Sequence, residues 1–294
     1  MNTVLVIIVT YNAHHWIRQC VESIDMRRYD VFVVDNCSAD DTLRILEEYP
    51  HIIVRSMTKN VGFGQANNIG LCYAVDNGYD YVLLLNQDAW LLPNTIKKLI
   101  ATQQQYPFYW ILSPMQMNTE RGGLEWQFEK YLKCFQSRED VDVVSVPFMN
   151  AALWLMPISC VKIVGGFDSL FPHYGEDNDY ANRVRYFGGK IGIDTKAVAY
   201  HERKKPTSPK TDQLLYKTTL TYLNVLKNIN CCLFLSILMM CWYYVKHLLK
   251  FVIRGQFKEA QICTFALKAC LKQLNIVQQH RHQSKQNGAF LYEL

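Results

Sequence analysis

Residues 81–88 read Tyr81-Val82-Leu83-Leu84-Leu85-Asn86-Gln87-Asp88. An aromatic followed by four aliphatic residues, with no polar alternation, predicts a strand covered on both faces, as in a parallel sheet flanked by helices. Gly78 upstream and Pro93-Asn94 downstream punctuate it as a helix stop and a helix start. The apolar run needs no polar terminus for stability, yet it ends in Asn86-Gln87-Asp88. Residues i and i+2 of an extended end project to the same side, and hard oxygens placed so suit Mg²⁺ or Mn²⁺. Capping the following helix is the plainer use of the same residues.

Outward from that strand the pattern repeats. Residues 3–10 form a β-branched run and residues 30–35 (DVFVVD) a second strand, with Trp16, Cys20, Val21 and Ile24 at helical spacing between them. Ser38-Ala39-Asp40-Asp41 predicts a capping box that opens a helix through Leu43, Ile45, Leu46 and Tyr49. Residues 51–55 read as a strand and 67–77 as a helix. This alternation predicts an α/β fold with a mainly parallel central sheet flanked by helices. Beyond Gln105 the periodicity weakens: 109–113 and 141–146 read as strands, 177–187 as a helix, and 190–193 and 197–200 as short extended segments. From about residue 211 the pattern is helical throughout.

Composition narrows the class. With 50% hydrophobic and 19% charged residues among 294, the chain folds into a core rather than remaining disordered. Its net charge of +5 is unevenly placed. Arg203, Lys204, Lys205, Lys210, Lys217 and Lys227 form one cluster, and Lys246, His247, Lys250 and Arg254 flank the uncharged run 229–245. Basic residues beside apolar sequence point to an anionic membrane surface more than to nucleic acid; a solvated basic face is the plainer alternative. The run falls short of the ~20 apolar residues a spanning helix needs. A packed helix, a dimer contact, an in-plane interfacial helix and a span therefore stay open. The cysteines show neither a CxxC pair nor zinc-site spacing, and no leader precedes the first strand, so a reducing cytosol is expected.

Three further segments carry chemistry. Asp35-Asn36-Cys37-Ser38 closes the second strand, where a carboxylate can meet a nucleobase or ribose, or merely cap a helix. Asn60-Val61-Gly62-Phe63-Gly64 with Asn67 offers close backbone approach and helix-opening amides. Its glycines superficially resemble a dinucleotide fingerprint, but they follow the third strand rather than the first, which excludes a nicotinamide reading. Gly165-Gly166-Phe167-Asp168 and Tyr174-Gly175-Glu176-Asp177-Asn178-Asp179 lead into an acidic helix start. Such a start delivers a carboxylate suited to deprotonating a hydroxyl; dipole compensation explains part of the acidity.

In this order and spacing the segments VIIVTYN (6–12), VVDNCSADDT (33–42), NVGFGQANNIG (60–70), LLNQDAWLLP (84–93) and GGFDSLF with YGEDNDYANRVRYFGG (165–189) resemble the family 2 glycosyltransferases of GT-A fold. The likeness is to their rhamnosyltransferase-like branch and covers most of residues 1–205. It implies a catalytic domain over 1–205, divided into a nucleotide-sugar-binding half (1–115) and an acceptor half (116–205). Residues 206–294 form a helical region. It further implies that Thr10, Tyr11, Asn12, Asp35, Asn60, Gly62, Asn67, Asn86 and Gln87 shape the nucleotide pocket. Asp88, in the position of the family's DxD element, holds Mg²⁺ or Mn²⁺, with His201 near the metal or diphosphate. Asn86 departs from the Asp common at the first DxD position. Asp177 is the implied catalytic base, Glu176 the second candidate, and the acceptor side includes Trp126, Asn150, Trp154, Gly166, Phe167 and Asp168.

The implied reaction is inverting transfer from a dTDP-rhamnose- or UDP-hexose-type donor to a glycan or lipid-linked glycan. It belongs to surface-polysaccharide synthesis at the inner face of the membrane, with oligomerisation open to the C-terminal helices. A sugar-phosphate nucleotidyltransferase would carry a basic Gly-rich loop where Tyr11-Asn12-Ala13-His14-His15 stands. A non-catalytic scaffold would not need the acidic side chains.

Overall fold

A computed structural model of the chain describes residues 2–119, 122–134, 142–202 and 211–293. Arg203, Lys204, Lys205 and Lys210 lie outside the described residues. The N-terminal half comprises β1 (Val4–Thr10), α1 (Ile17–Glu22), β2 (Asp30–Asp35), α2 (Thr42–Leu46), β3 (Ile53–Ser56), α3 (Phe63–Asp76) and β4 (Tyr81–Asn86). Their strands pair in parallel in the order β3-β2-β1-β4. The contiguous apolar runs are explained at once: Val4 to Ile8 and Val82 to Leu85 are buried on both faces. Helix α3 lies so close to β1 that a Cβ on Gly70 would meet Ile7 at 2.5 Å. The capping box does not form. Asp40 instead accepts from the Thr42 amide at 3.0 Å, while the Ser38 hydroxyl turns away to Asp35.

The second half continues with β5 (Ala89–Leu91), α4 (Thr95–Gln105), β6 (Tyr109–Asn118), β7 (Gly123–Leu124), α5 (Trp126–Cys134), β8 (Val143–Val146), β9 (Leu153–Pro157), α6 (Ile158–Val164), α7 (Glu176–Tyr186) and β10 (Lys190–His201). Strand β9 inserts antiparallel between β4 and β6, so the sheet is parallel on one side and mixed on the other. The two short segments expected over 190–200 are one strand, β10. A register shift between Asp194 and Val198 breaks its alternation and made it read as two. Trp154, expected on the acceptor side, lies in β9, fully buried and stacked on Phe167 at 6.3 Å.

Four helices follow: α8 (Thr211–Lys227), α9 (Leu233–Ile253), α10 (Phe257–Lys272) and α11 (Leu274–Gln283). They join the sheet-bearing part of the chain through a buried ionic network. The Lys227 ammonium sits 2.9 Å from Asp168 and 3.0 Å from Asp179. Asp179 also accepts from Arg183 at 2.8 Å, and Arg183 donates to the carbonyls of Val164 and Gly166. His280 contacts Asp168 at 2.7 Å. Burial opposes ionisation of Asp168, but His280 and Lys227 hold its carboxyl down at about 2. Residues 288–291 then fold back over the start of this network. The Gly166 amide donates to Ala289 at 2.8 Å, and Asn68 donates to the Phe290 carbonyl at 3.2 Å. Removing the cation with Lys227→Met leaves two buried carboxylates short of a partner. Chemical denaturation is expected to show a loss of about 3–5 kcal/mol.

Candidate active site

A cavity of about 380 Å³ opens beyond the carboxyl ends of β1 and β4, the crevice where open α/β sheets place their ligands. That volume is in the range of small-molecule sites. Tyr11, Asn36, Asn60, Gly62, Asn86, Gln87, Asp88, Asn150, Glu176, Asp177 and His201 all line it. Residues from seven separate stretches of chain thus share one space.

One wall is braced by strand-end polar groups. Asn60 Oδ1 accepts from Asn36 Nδ2 and from the Gly62 amide, both at 2.9 Å. Asn36 Oδ1 in turn accepts from the Val61 amide at 2.8 Å. Gly62 has φ +88°, and a Cβ there would stand 2.1 Å from the Pro172 carbonyl oxygen. Only glycine lets the loop before α3 and the loop before α7 meet in this way. Gln87 clamps the loop after β1, accepting from the Tyr11 amide at 2.7 Å.

Asp35, Thr10, Asn12 and Asn67 do not line the cavity. Parallel register sets Thr10 beside Asp35, whose buried carboxylate accepts from the Thr10 hydroxyl at 2.8 Å and the Ser38 amide at 3.0 Å. With its oxygens occupied this way, Asp35 ties two strand ends together, and its neighbour Asn36 faces the cavity. Asn12, at φ 51°, bridges to Ser38 and Ala39. Asn67 is buried in α3 and bonds the Phe63 carbonyl.

At the opposite wall the His201 Nε2 atom lies 3.5 Å from Asp88 Oδ1. His201 Nδ1 is 3.1 Å from Gln116 Oε1. An amide oxygen can only accept, so in the neutral ring the proton sits on Nδ1 and the Nε2 lone pair faces the carboxylate. Two electron-pair donors converging without a proton between them fit a cation. Among the described residues no three His, Cys, Asp or Glu side chains gather to enclose a metal. The pair therefore resembles a half-site for a cation that completes its coordination on phosphate oxygens, the usual habit of Mg²⁺. Gln116 was not apparent as a site residue in the sequence, since a glutamine within a strand carries no signal.

Glu176 and Asp177 open α7. Asp177 is half-buried and accepts from the Asn178 amide at 2.8 Å. Glu176 is buried, with no partner for its Oε2 among the described residues. Burial, then the charge of Asp177, push its carboxyl up to about 8 from an ordinary 4.5. Between those values the folded chain holds a proton that the unfolded chain releases. Glu176 therefore favours folding fully below about pH 4.5 and loses that effect as pH rises through about 8. Thermal melting across this window is expected to show a slope that Glu176→Gln flattens.

Of the residues expected on the acceptor side, Asn150 alone lines the cavity, with a buried Oδ1 that lacks a partner among the described residues. Gly166 and Asp168 face the helical region instead, and Phe167 packs inward. A Cβ on Gly166 would lie 2.8 Å from the Phe290 carbonyl, Phe167 is core, and Asp168 is spent on Lys227 and His280. Trp126 also stands outside the cavity lining, beneath the Lys130 ammonium at 4.5 Å. His173 and Tyr174, on the loop before α7, do line the cavity; the sequence marks Tyr174 only as part of the approach to the acidic helix start and does not single out His173.

Comparison with known proteins identifies the fold and the family. The chain is 23% identical over 231 residues to an N-acetylglucosaminyl-diphospho-decaprenol L-rhamnosyltransferase of Mycobacterium tuberculosis, spanning 67% of this chain and 75% of that one. Its fold is shared with S. aureus TarS 1-349 in complex with UDP-GlcNAc, at TM-score 0.63 and 17% identity over 99% of this chain and 90% of that one. GalNAc-T7 with UDP, GalNAc and Mn²⁺ superposes at TM-score 0.57 and 15% identity, over 75% and 48% of the two chains. A family profile described as Glycosyl transferase family 2 matches residues 5–157, more than half of the sequence. By that match and the shared GT-A fold, the chain belongs to glycosyl transferase family 2 and is a glycosyltransferase.

Proposed function

We propose that the chain transfers a sugar with inversion, by a single in-line displacement, from a dTDP-rhamnose- or UDP-hexose-type donor to a hydroxyl of a lipid-linked glycan. The convergence of Asp88 and His201 at one wall and Glu176 and Asp177 at another, within one cavity, carries this reading. Asp177 accepts the proton of the acceptor hydroxyl as that oxygen attacks the anomeric carbon. Glu176, neutral below about 8, keeps a second negative charge away from that base and has a proton to donate to a sugar oxygen. Asn36, Asn60 and the Gly62 backbone face the nucleoside. Asp88 and His201 would hold Mg²⁺ or Mn²⁺, which offsets the charge of the departing diphosphate.

The mycobacterial relative's name describes rhamnosyl transfer to a polyprenol-linked sugar, which supports a lipid-linked acceptor. The TarS complex with UDP-GlcNAc supports a nucleotide-sugar donor, and GalNAc-T7 with Mn²⁺ supports the metal. A thermal-shift screen of dTDP-, UDP- and GDP-sugars, with Mn²⁺ or with chelator, tests it. Only a ligand bound to the folded state raises the melting point. One donor class is expected to raise it in a Mn²⁺-dependent way; no shift with any sugar nucleotide would reject the reading.

A further inference from the structure

Helix α9 turns an apolar side outward. It is 21 residues long, about 31 Å, with mean hydropathy 1.3 over an 18-residue window. Its inner side packs on α8 and α10: Ser236 and Met240 are buried, Tyr222 Oη lies 3.3 Å from His247 Nδ1, and Tyr244 meets Thr264. Its outer side presents Phe234, Leu238, Trp242, Val245, Leu249 and Ile253 to solvent, with Phe234 70%, Trp242 68% and Ile253 83% exposed. At 100° per residue these positions form one stripe directly opposite the buried one. An apolar stripe of that length on a water-soluble face marks an interaction surface.

Charge says what covers it. No acidic residue occurs between Asp212 and Glu259, whereas Lys246, Lys250, Arg254 and Lys258 all stand exposed along or just beyond the stripe. A second copy docked through the same helix would bring these cations no acidic partner, since residues 213–258 contain none. An anionic bilayer would pair with them and take up the apolar stripe together. An apolar notch of about 360 Å³, lined by Leu238, Met239, Trp242, Tyr243 and Lys246, lies on the same face and puts an ammonium beside a space suited to an acyl chain.

The length and packing of α9 suit a place in the membrane plane rather than a span across it. Its uncharged part, residues 233–245, measures about 20 Å against the ~30 Å of a hydrocarbon core. Spanning would also drag the polar helices packed along its inner side into lipid. Helices α8 and α9 run antiparallel: Tyr222 faces His247, and Arg281 ties Leu226 to Ser236 farther along. The basic end of α9 therefore lies level with Tyr216, whose hydroxyl donates to the His173 carbonyl at the cavity rim.

We infer that α9 is an in-plane anchor that seats the enzyme on an anionic bilayer with its cavity rim near the headgroups. This deepens the lipid-linked acceptor reading and rests on it for its biological setting. The test uses the full chain without donor or acceptor, so that failure here leaves the transfer chemistry separately measurable with a soluble acceptor. Vesicles of phosphatidylcholine with phosphatidylglycerol, or of phosphatidylcholine alone, are sedimented with the wild type, Trp242→Glu, and the triple variant Lys246→Gln, Lys250→Gln, Arg254→Gln. The wild type is expected to bind the anionic vesicles, with Trp emission shifting to the blue. The triple variant is expected to weaken binding on the order of a hundredfold, at about one factor of five per cation, and Trp242→Glu to abolish the emission shift. Quenching by brominated lipids should be strongest for shallow bromines; quenching strongest at the bilayer centre would overturn the in-plane orientation. Equal binding to neutral vesicles, no binding to either, or a wild-type dimer in sedimentation equilibrium that Trp242→Glu dissolves would overturn the proposal.

Discussion

Asp177→Asn is expected to lower kcat by about 10²–10⁴-fold, the usual worth of a positioned general base. The substitution keeps the shape of the side chain and its place at the opening of α7, so donor affinity measured by calorimetry should barely change. Glu176→Gln makes the contrast informative. Glu176 is buried and neutral to about pH 8, so it is ill-suited to accept a proton at lower pH. Its replacement should alter KM more than kcat and reduce the pH dependence of stability. If Asp177→Asn retained full activity while Glu176→Gln lost it, the roles of the two carboxyls would be exchanged.

Asp88→Ala should remove the metal-dependent part of donor binding. Asp88 and His201 are the two cavity side chains that face one another with electron pairs rather than protons. The loss should exceed the ~10–100-fold that replacing an outer partner of a metal typically costs. Gln116→Leu removes such an outer partner, because it frees His201 to change tautomer, and should produce the smaller effect. Titrating the donor with Mn²⁺ and with chelator measures both. If the Asp88→Ala protein still tightened its donor on adding Mn²⁺ as the wild type does, the metal assignment would be wrong.

The parallel half of the fold was legible because burial on two faces leaves an unbroken apolar run, as in β1 and β4. The cavity residues near those strand ends were legible for the same reason: polar side chains that interrupt such runs have no packing purpose. The expectations failed where a residue's partner is remote in sequence. Asp35 looked free for a nucleobase, but parallel pairing brings Thr10 to it from the neighbouring strand. Gly166, Phe167 and Asp168 looked like the approach to a cleft. Their glycine makes room for the Phe290 carbonyl and their carboxylate meets Lys227 and His280, all encoded in the helical region. Gln116 gained meaning only once β6 and β10 were seen to lie side by side.

The fold-back of residues 288–291 bears on how the protein is made. The bonds from Asn68 to Phe290 and from Cys72 to Leu291 close loops of 222 and 219 residues. Contacts so far apart in sequence slow folding. A nascent chain that has emitted its sheet must wait for nearly the whole of the helical segment before α7 gains its final support. Until then the apolar surface beneath Gly165 and Phe167 stays open to chaperones and to aggregation, so the yield of soluble enzyme should depend on translation running through residue 291.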